Sequence, residues 1–179
     1  MRWRSSSYVL LLILFSAVLV SLSFAQQPLK MGIINSQKIL ESSKEGKRVI
    51  VQLQEKDKKI QSELAKQDDS IRSLETKLST QRLTLSEQSV IQLSSDLDRK
   101  RTERKRYAED SFKDLQDLQM RLFNKVQSEL MPIIQQLGRE KGFDLIFDLA
   151  KSGAIYFNPA INFTDEIIKR YDASKAGTK

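Results

Sequence analysis

A heptad ladder that rises, stops and resumes constrains this chain more than any other feature. From Ile50 the seam positions alternate at spacings of three and four through Leu53, Asp57, Ile60, Leu64, Gln67, Ile71, Leu74, Leu78, Gln81 and Leu85. Such spacing keeps one side of a helix turned toward a partner helix. Apolar residues resume at Val90, Leu93 and Leu97 and, after a polar gap, at Tyr107, Ala108, Phe112, Leu115, Leu118, Leu122, Val126, Leu130, Ile133 and Leu137. A second long helix is therefore expected to pack back along the first. The turn is expected within 79–89, where a run rich in Ser, Thr and Gln loses helix propensity. Taken as continuous helix, Lys44 to Leu85 reaches about 60 Å. The polar seam residues Asp57, Gln67 and Gln81 weaken packing while fixing register; they are read either as a device for a flexible arm or as tolerated positions in an ordinary coiled coil.

The two ends of the chain read differently. Leu29 to Ile34 alternates like a short strand, Asn35 can cap a brief helix through Ile39 and Leu40, and Ser42-Ser43-Lys44-Glu45 offers a capping-box start for the long arm. Beyond the second arm, Gly142 stands where a helix end favours a residue tolerant of positive φ. Phe143, Leu145, Phe147 and Leu149 then alternate with Asp144 and Asp148. Lys151-Ser152-Gly153 reads as a turn into a second strand, Ala154 to Phe157, which Asn158-Pro159 ends. Asn162 or Thr164 can cap a last helix through Ile167, Ile168 and Tyr171, followed by a polar tail over 172–179 that is expected to fray. The resulting divisions are 26–43 and 142–171 for a small body and 44–141 for the arm.

Residues 1–25 carry Arg2 and Arg4, an apolar run from Tyr8 to Val20, and Ser23-Phe24-Ala25 ahead of polar Gln26-Gln27. This is the layout of a secretory signal cleaved near Ala25. An uncleaved anchor is the competing reading, because Tyr8 to Phe24 is close to the ~17 residues that span a bilayer. Cleavage leaves 154 residues with 28 Lys and Arg against 23 Asp and Glu, a net charge of +5. No cysteine is present, so stability outside the cytoplasm must come from packing or oligomerisation rather than disulfides.

Composition also narrows the chemistry. The chain has no His and no Cys, which removes the usual general base, thiol nucleophile and soft metal ligands. Gly138, Gly142 and Gly153 are isolated, so no phosphate loop is present. No catalytic residue, metal site or cofactor is expected. The most marked charge feature is Arg99, Lys100, Arg101, Arg104, Lys105 and Arg106, which coincides with the gap in the second apolar seam. It is read as a site for acidic partners whose strength falls with salt. The plainer reading is a solvated face neutralised within the helix by Asp96, Asp98, Glu103, Glu109 and Asp110. Nucleic acid is disfavoured by the export signal and by the lack of aromatic platforms beyond Tyr107.

The segment Ile39-Leu40-Glu41-Ser42-Ser43-Lys44-Glu45-Gly46-Lys47 opening a charged helix, with Ile155-Tyr156-Phe157-Asn158-Pro159 and Phe163-Thr164-Asp165-Glu166-Ile167-Ile168-Lys169 at the far end, resembles the Skp/OmpH family of periplasmic chaperones. The resemblance spans the mature chain, with its specific parts at the two ends. It implies a homotrimer whose β body is assembled between subunits and whose helical arms enclose unfolded outer-membrane proteins. Contact with lipid or lipopolysaccharide also follows from the family, although no motif here matches that patch residue by residue.

The expected architecture is α+β: a small intersubunit β body with a long antiparallel helical arm. Its core is assigned to Ile33, Phe143, Leu145, Phe147, Ile155 and Phe157, part of which is expected to face other protomers, since a two-stranded hairpin is marginal alone. The expected function is an ATP-independent periplasmic holdase, and a structural coiled-coil scaffold or adaptor in the cell envelope is the alternative.

Overall fold

A computed structural model of the protein describes residues 28–177; the expected signal segment lies outside them. The chain opens with strand β1 (Met31–Ile34) and helix α1 (Ser36–Ser42), then runs out along α2 (Lys44–Gln81) and back along α3 (Glu87–Lys141). Strand β2 (Leu145–Asp148), a single turn α4 (Leu149–Ser152), a 3-10 turn (Pro159–Ile161) and helix α5 (Thr164–Ala176) complete it. It is an α+β protein dominated by helix, with the two ends of the described chain gathered into one base and the hairpin α2–α3 projecting from it. At 1.5 Å per residue α2 extends about 57 Å.

Local chemistry sets these boundaries. The Asn35 side chain accepts from the Lys38 N–H at the start of α1. Ser43, rather than Ser42, caps α2 by accepting from the Gly46 N–H, so no reciprocal capping box forms with Glu45. A second free donor of α2, the Lys44 N–H, is taken by Asp172 Oδ1 at 2.8 Å, which ties the opposite end of the chain to the root of the arm. Gly142 ends α3 at φ 65°, a conformation that costs a residue with a Cβ, and the Phe143 N–H reaches back to the Gly138 carbonyl.

The sheet differs from the expected hairpin. β1 and β2 pair in parallel, with Ile33 opposite Phe147, and Asn162 bridges to the other side of Ile33. The strand ends at Asp148 because its carboxylate accepts from the Ala150 and Ser36 N–H groups, starting α4 and anchoring α1 together. Residues 154–157 form no strand among the described residues, and Ile155 is fully exposed. The expected tail is also corrected: α5 continues to Ala176, and Tyr171 is completely buried.

The core lies at the base, where Ile34, Ile39, Val49, Val126, Leu130, Leu137, Ile167 and Tyr171 close around one another. Full burial of one such aliphatic chain contributes about 1.5–3 kcal/mol. Of the six residues assigned to the body core, Ile33 is buried, Phe143 and Phe157 are half-buried, and Leu145, Phe147 and Ile155 are exposed in the protomer.

Tyr171 donates to Glu129 Oε2 at 2.5 Å, and Lys175 binds the other oxygen at 2.7 Å. Burial first, and then the Glu129 carboxylate, raise the Tyr171 hydroxyl above its ordinary value. A raised folded value means that this stabilisation is complete below the unfolded tyrosine value near 10 and declines as pH rises past it. The urea midpoint of the base is therefore expected to hold steady through neutrality and fall above about pH 10, and Tyr171→Phe should flatten that fall.

Along the arm the seam is narrower than the apolar pattern indicates. Leu53, Lys56 and Ile60 turn inward while Asp57 is exposed; in α3 Ser111 is buried while Phe112 is 67 % exposed. Gln67 does sit in the seam, and its Oε1 is buried with no hydrogen-bond partner among the described residues. An unpaired buried carbonyl costs about 1–3 kcal/mol. Gln67→Leu should accordingly stabilise the arm by about 1–2 kcal/mol, read as a higher midpoint for loss of helical signal.

Candidate functional site

The middle of α3 carries the basic run, and the fold distributes its six cations unequally. Arg104 grips Asp68 of α2 with two hydrogen bonds, Nε to Oδ1 at 2.9 Å and Nη2 to Oδ2 at 3.1 Å. Arg101 reaches Glu75 of α2 at 2.6 Å. Both pairs cross the hairpin, so the polar gap between Leu97 and Tyr107 is a polar layer of the seam that couples the two helices. Sequence reasoning supplied only partners within α3, because Asp68 and Glu75 become neighbours only when the hairpin closes.

Of the remaining cations Arg99, Lys105 and Arg106 turn outward, and Lys100 is half-buried. Arg99 pairs with Asp96 at 3.0 Å and Lys100 with Glu103 at 2.9 Å, both along α3. Lys105 is 3.9 Å from Glu109, and Arg106 has no ion pair among the described residues. The Arg104 hydrogen bond holds the Asp68 carboxyl below its ordinary value, and Asp68 in return raises Arg104. The Glu103 carboxyl is lowered first by the hydrogen bond from Lys100. These groups are solvated, so the pairs act mainly on alignment and are sensitive to salt. Arg101→Gln with Arg104→Gln should loosen the arm, with thermal loss of helix at lower temperature and a reduced salt dependence. Lys105→Gln with Arg106→Gln should leave the melting curve unchanged.

A second feature lies at the base. The sheet turns Met31, Leu145 and Phe147 outward on one face, where each is 39–44 % exposed. Beyond it Ile155 and Tyr156 project into solvent. The outer side of β2 pairs with no strand among the described residues. A parallel sheet ordinarily has both faces covered, and a two-stranded ribbon is marginal without cover. On the opposite side a groove of about 470 Å³ opens between α1, α3 and α4, lined by Ile39, Phe123, Leu130, Met131 and Ile146 among others.

No cluster of three or more carboxylates suited to a metal is found among the described residues, and none of the helices there is long and apolar enough to cross a membrane.

The profile of the OmpH-like outer-membrane-protein family matches residues 30–171, from the start of β1 to Tyr171 in α5. The chain belongs to the OmpH-like family. A crystal structure of a candidate OmpH-like outer-membrane chaperone from Caulobacter crescentus superposes with a TM-score of 0.73. It shares 21 % identity, over 84 % of this chain and 88 % of that one. That likeness shows the OmpH-like fold of base and long arm. No curated protein matches the chain. In this OmpH-like protein the family segment at the root of the arm has a packing reason that its sequence hides. A Cβ on Gly46 would stand 1.9 Å from the Leu40 carbonyl oxygen, so α1 and α2 meet where only glycine fits.

Proposed function

We propose that this protein is an ATP-independent periplasmic chaperone of the holdase type, which keeps unfolded outer-membrane proteins soluble between helical arms. The observation that carries this reading is the arm itself: a hairpin about 57 Å long that leaves a small base and, among the described residues, meets no other element along most of its length. Membership of the OmpH-like family supports the same role. No nucleotide-binding loop drives a cycle, so release follows from the client folding elsewhere. Loose holding also suits the outward cations, since mixed charge binds many sequences without fixing one.

Three copies assembled through the outer sheet face and the 154–157 segment would cover Leu145, Phe147 and Ile155 and place three arms around one space. Export by the signal in residues 1–25 would put the protein in the periplasm. Within the basic run, Lys105 and Arg106 would draw acidic clients, with Arg99 and Lys100 beside them, while Arg101 and Arg104 keep the arm aligned. Lys105→Gln with Arg106→Gln is expected to slow capture of acidic clients at low salt and to behave as the parent at high salt.

The competing reading is a coiled-coil adaptor that bridges fixed partners in the envelope. Native mass measurement with several unrelated urea-unfolded outer-membrane β-barrel proteins separates the two. A holdase forms soluble complexes with all of them, as a trimer in the absence of client. Binding of one folded partner, with no protection of unfolded barrels, would establish the adaptor instead.

A further inference from the structure

The seam of α3 accounts for one of its faces, and a second apolar face remains. Starting from Phe112, positions at three- and four-residue spacing run through Gln116, Met120, Phe123, Gln127, Leu130 and Ile134. This line is offset by one residue from the buried Ser111, about 100° around the helix, so the hairpin partner leaves its upper part, Phe112 to Met120, uncovered, while Leu130 lower down reaches the core. Phe112 is 67 % exposed and Met120 58 % exposed. Lower down, Phe123, Gln127, Leu130 and Ile134 line the groove at the base. The exposed stripe and the groove are thus one track, about 33 Å long from Phe112 to Ile134.

Its chemistry is specific. From Phe112 to Ile134 the stripe holds no charged side chain: its polar members are amides, which offer donors and acceptors to a peptide backbone without demanding a charge. Cations stand at both ends. Lys105 and Lys113 flank the top, with Glu109 between them held 3.9 Å from Lys105 and Lys113 left as the excess charge, and Lys151 lines the groove at the bottom. Asp148, the acidic member of the groove, already has an oxygen committed to two backbone N–H groups. A second copy of this stripe would bring like charges together at its ends, so charge complementarity selects a different occupant.

We infer that this track binds an extended segment of an unfolded client, apolar in its middle and acidic at its ends. At about 3.3 Å per residue, 33 Å accommodates roughly ten residues. Phe112, Met120 and Phe123 are the apolar contacts, and Gln116 and Gln127 bind the backbone between them. This rests on the holdase reading and assigns the residues that perform it.

The test uses the full mature chain and a urea-unfolded outer-membrane β-barrel protein diluted into buffer. Phe112→Gln with Met120→Gln keeps good helix formers at exposed sites, so circular dichroism and native mass should match the parent. The concentration needed to suppress aggregation should rise about tenfold, as expected for losing two large apolar contacts. A photo-crosslinker at position 112 or 120 should capture client several-fold more than one at Asp114 or Arg121 on the same helix, and the captured peptides should be apolar with Asp or Glu at their flanks. Unchanged suppression, equal capture on both faces, lysine-flanked peptides, or crosslinks from 112 and 120 to a second copy would each overturn the inference while leaving the holdase intact. If the parent protein fails to keep the client soluble, the holdase reading falls and the track falls with it.

Discussion

Gly46→Ala is expected to destabilise the base by at least about 3 kcal/mol, the upper part of the range for overpacking, and to cause part of the protein to unfold under conditions where the parent is folded. Helix propensity argues the other way, since replacing glycine by alanine inside a helix normally gains about 1 kcal/mol. Geometry decides the sign. The added carbon would lie 1.9 Å from the Leu40 oxygen and 2.6 Å from its carbonyl carbon, both backbone atoms, so relief requires α1 to move as a unit. That movement would disturb Ile39, which is completely buried against the core, and the Ser43 cap that starts α2. Urea unfolding followed by circular dichroism measures the effect. Gly138→Ala in α3 is the control, because its new carbon would meet only the tip of the flexible Ile146 side chain at 3.3 Å. Gly46→Ala unfolding at or above the parent midpoint would show that the α1–α2 contact yields easily and does not anchor the arm.

The arm was legible in the sequence because a helical hairpin is built from local rules. Spacing of three and four gave both helices, Gly142 gave the end of the second, and the propensity loss around Arg82 gave the turn, which falls between Gln81 and Glu87. The errors along it also have a local cause. Apolar type marks Phe112 as a seam residue, whereas the two backbones approach most easily over the smaller Ser111, which is buried while Phe112 is exposed. The base was much less legible. β1 and β2 are separated by the whole arm, and a pairing of Ile33 with Phe147 leaves no periodic trace in either segment. Asp148 alternates like a strand residue, yet its carboxylate serves two N–H groups beyond the strand and turns the chain into α4. Arg101 and Arg104 illustrate the same limit within the candidate site. Acidic residues one turn away along α3 were visible, while Glu75 and Asp68 on the facing helix were not.

Phe147→Asp is expected to separate assembly from folding. In the protomer Phe147 stands opposite Ile33 on the outer sheet face and keeps 42 % of its surface in water, so the substitution leaves the α2–α3 hairpin and the buried core around Leu137 and Tyr171 untouched. In an assembly joined through that face, the same side chain would be fully covered in every copy. Loss of that burial, which concerns only the 42 % still exposed in the protomer, removes about 1 kcal/mol per copy, and an aspartate placed there adds the larger cost of desolvating a charge. Repeated in each copy, these costs exceed what a small interface can offset, so native mass should report monomers with a helical spectrum close to that of the parent. Exposure of Leu145, Phe147 and Ile155 in the protomer is what separates the two effects. Collapse of the helical signal in Phe147→Asp would return this residue to the protomer core. Assembly of normal mass would leave the outer face facing solvent and would remove the sheet as the junction between copies.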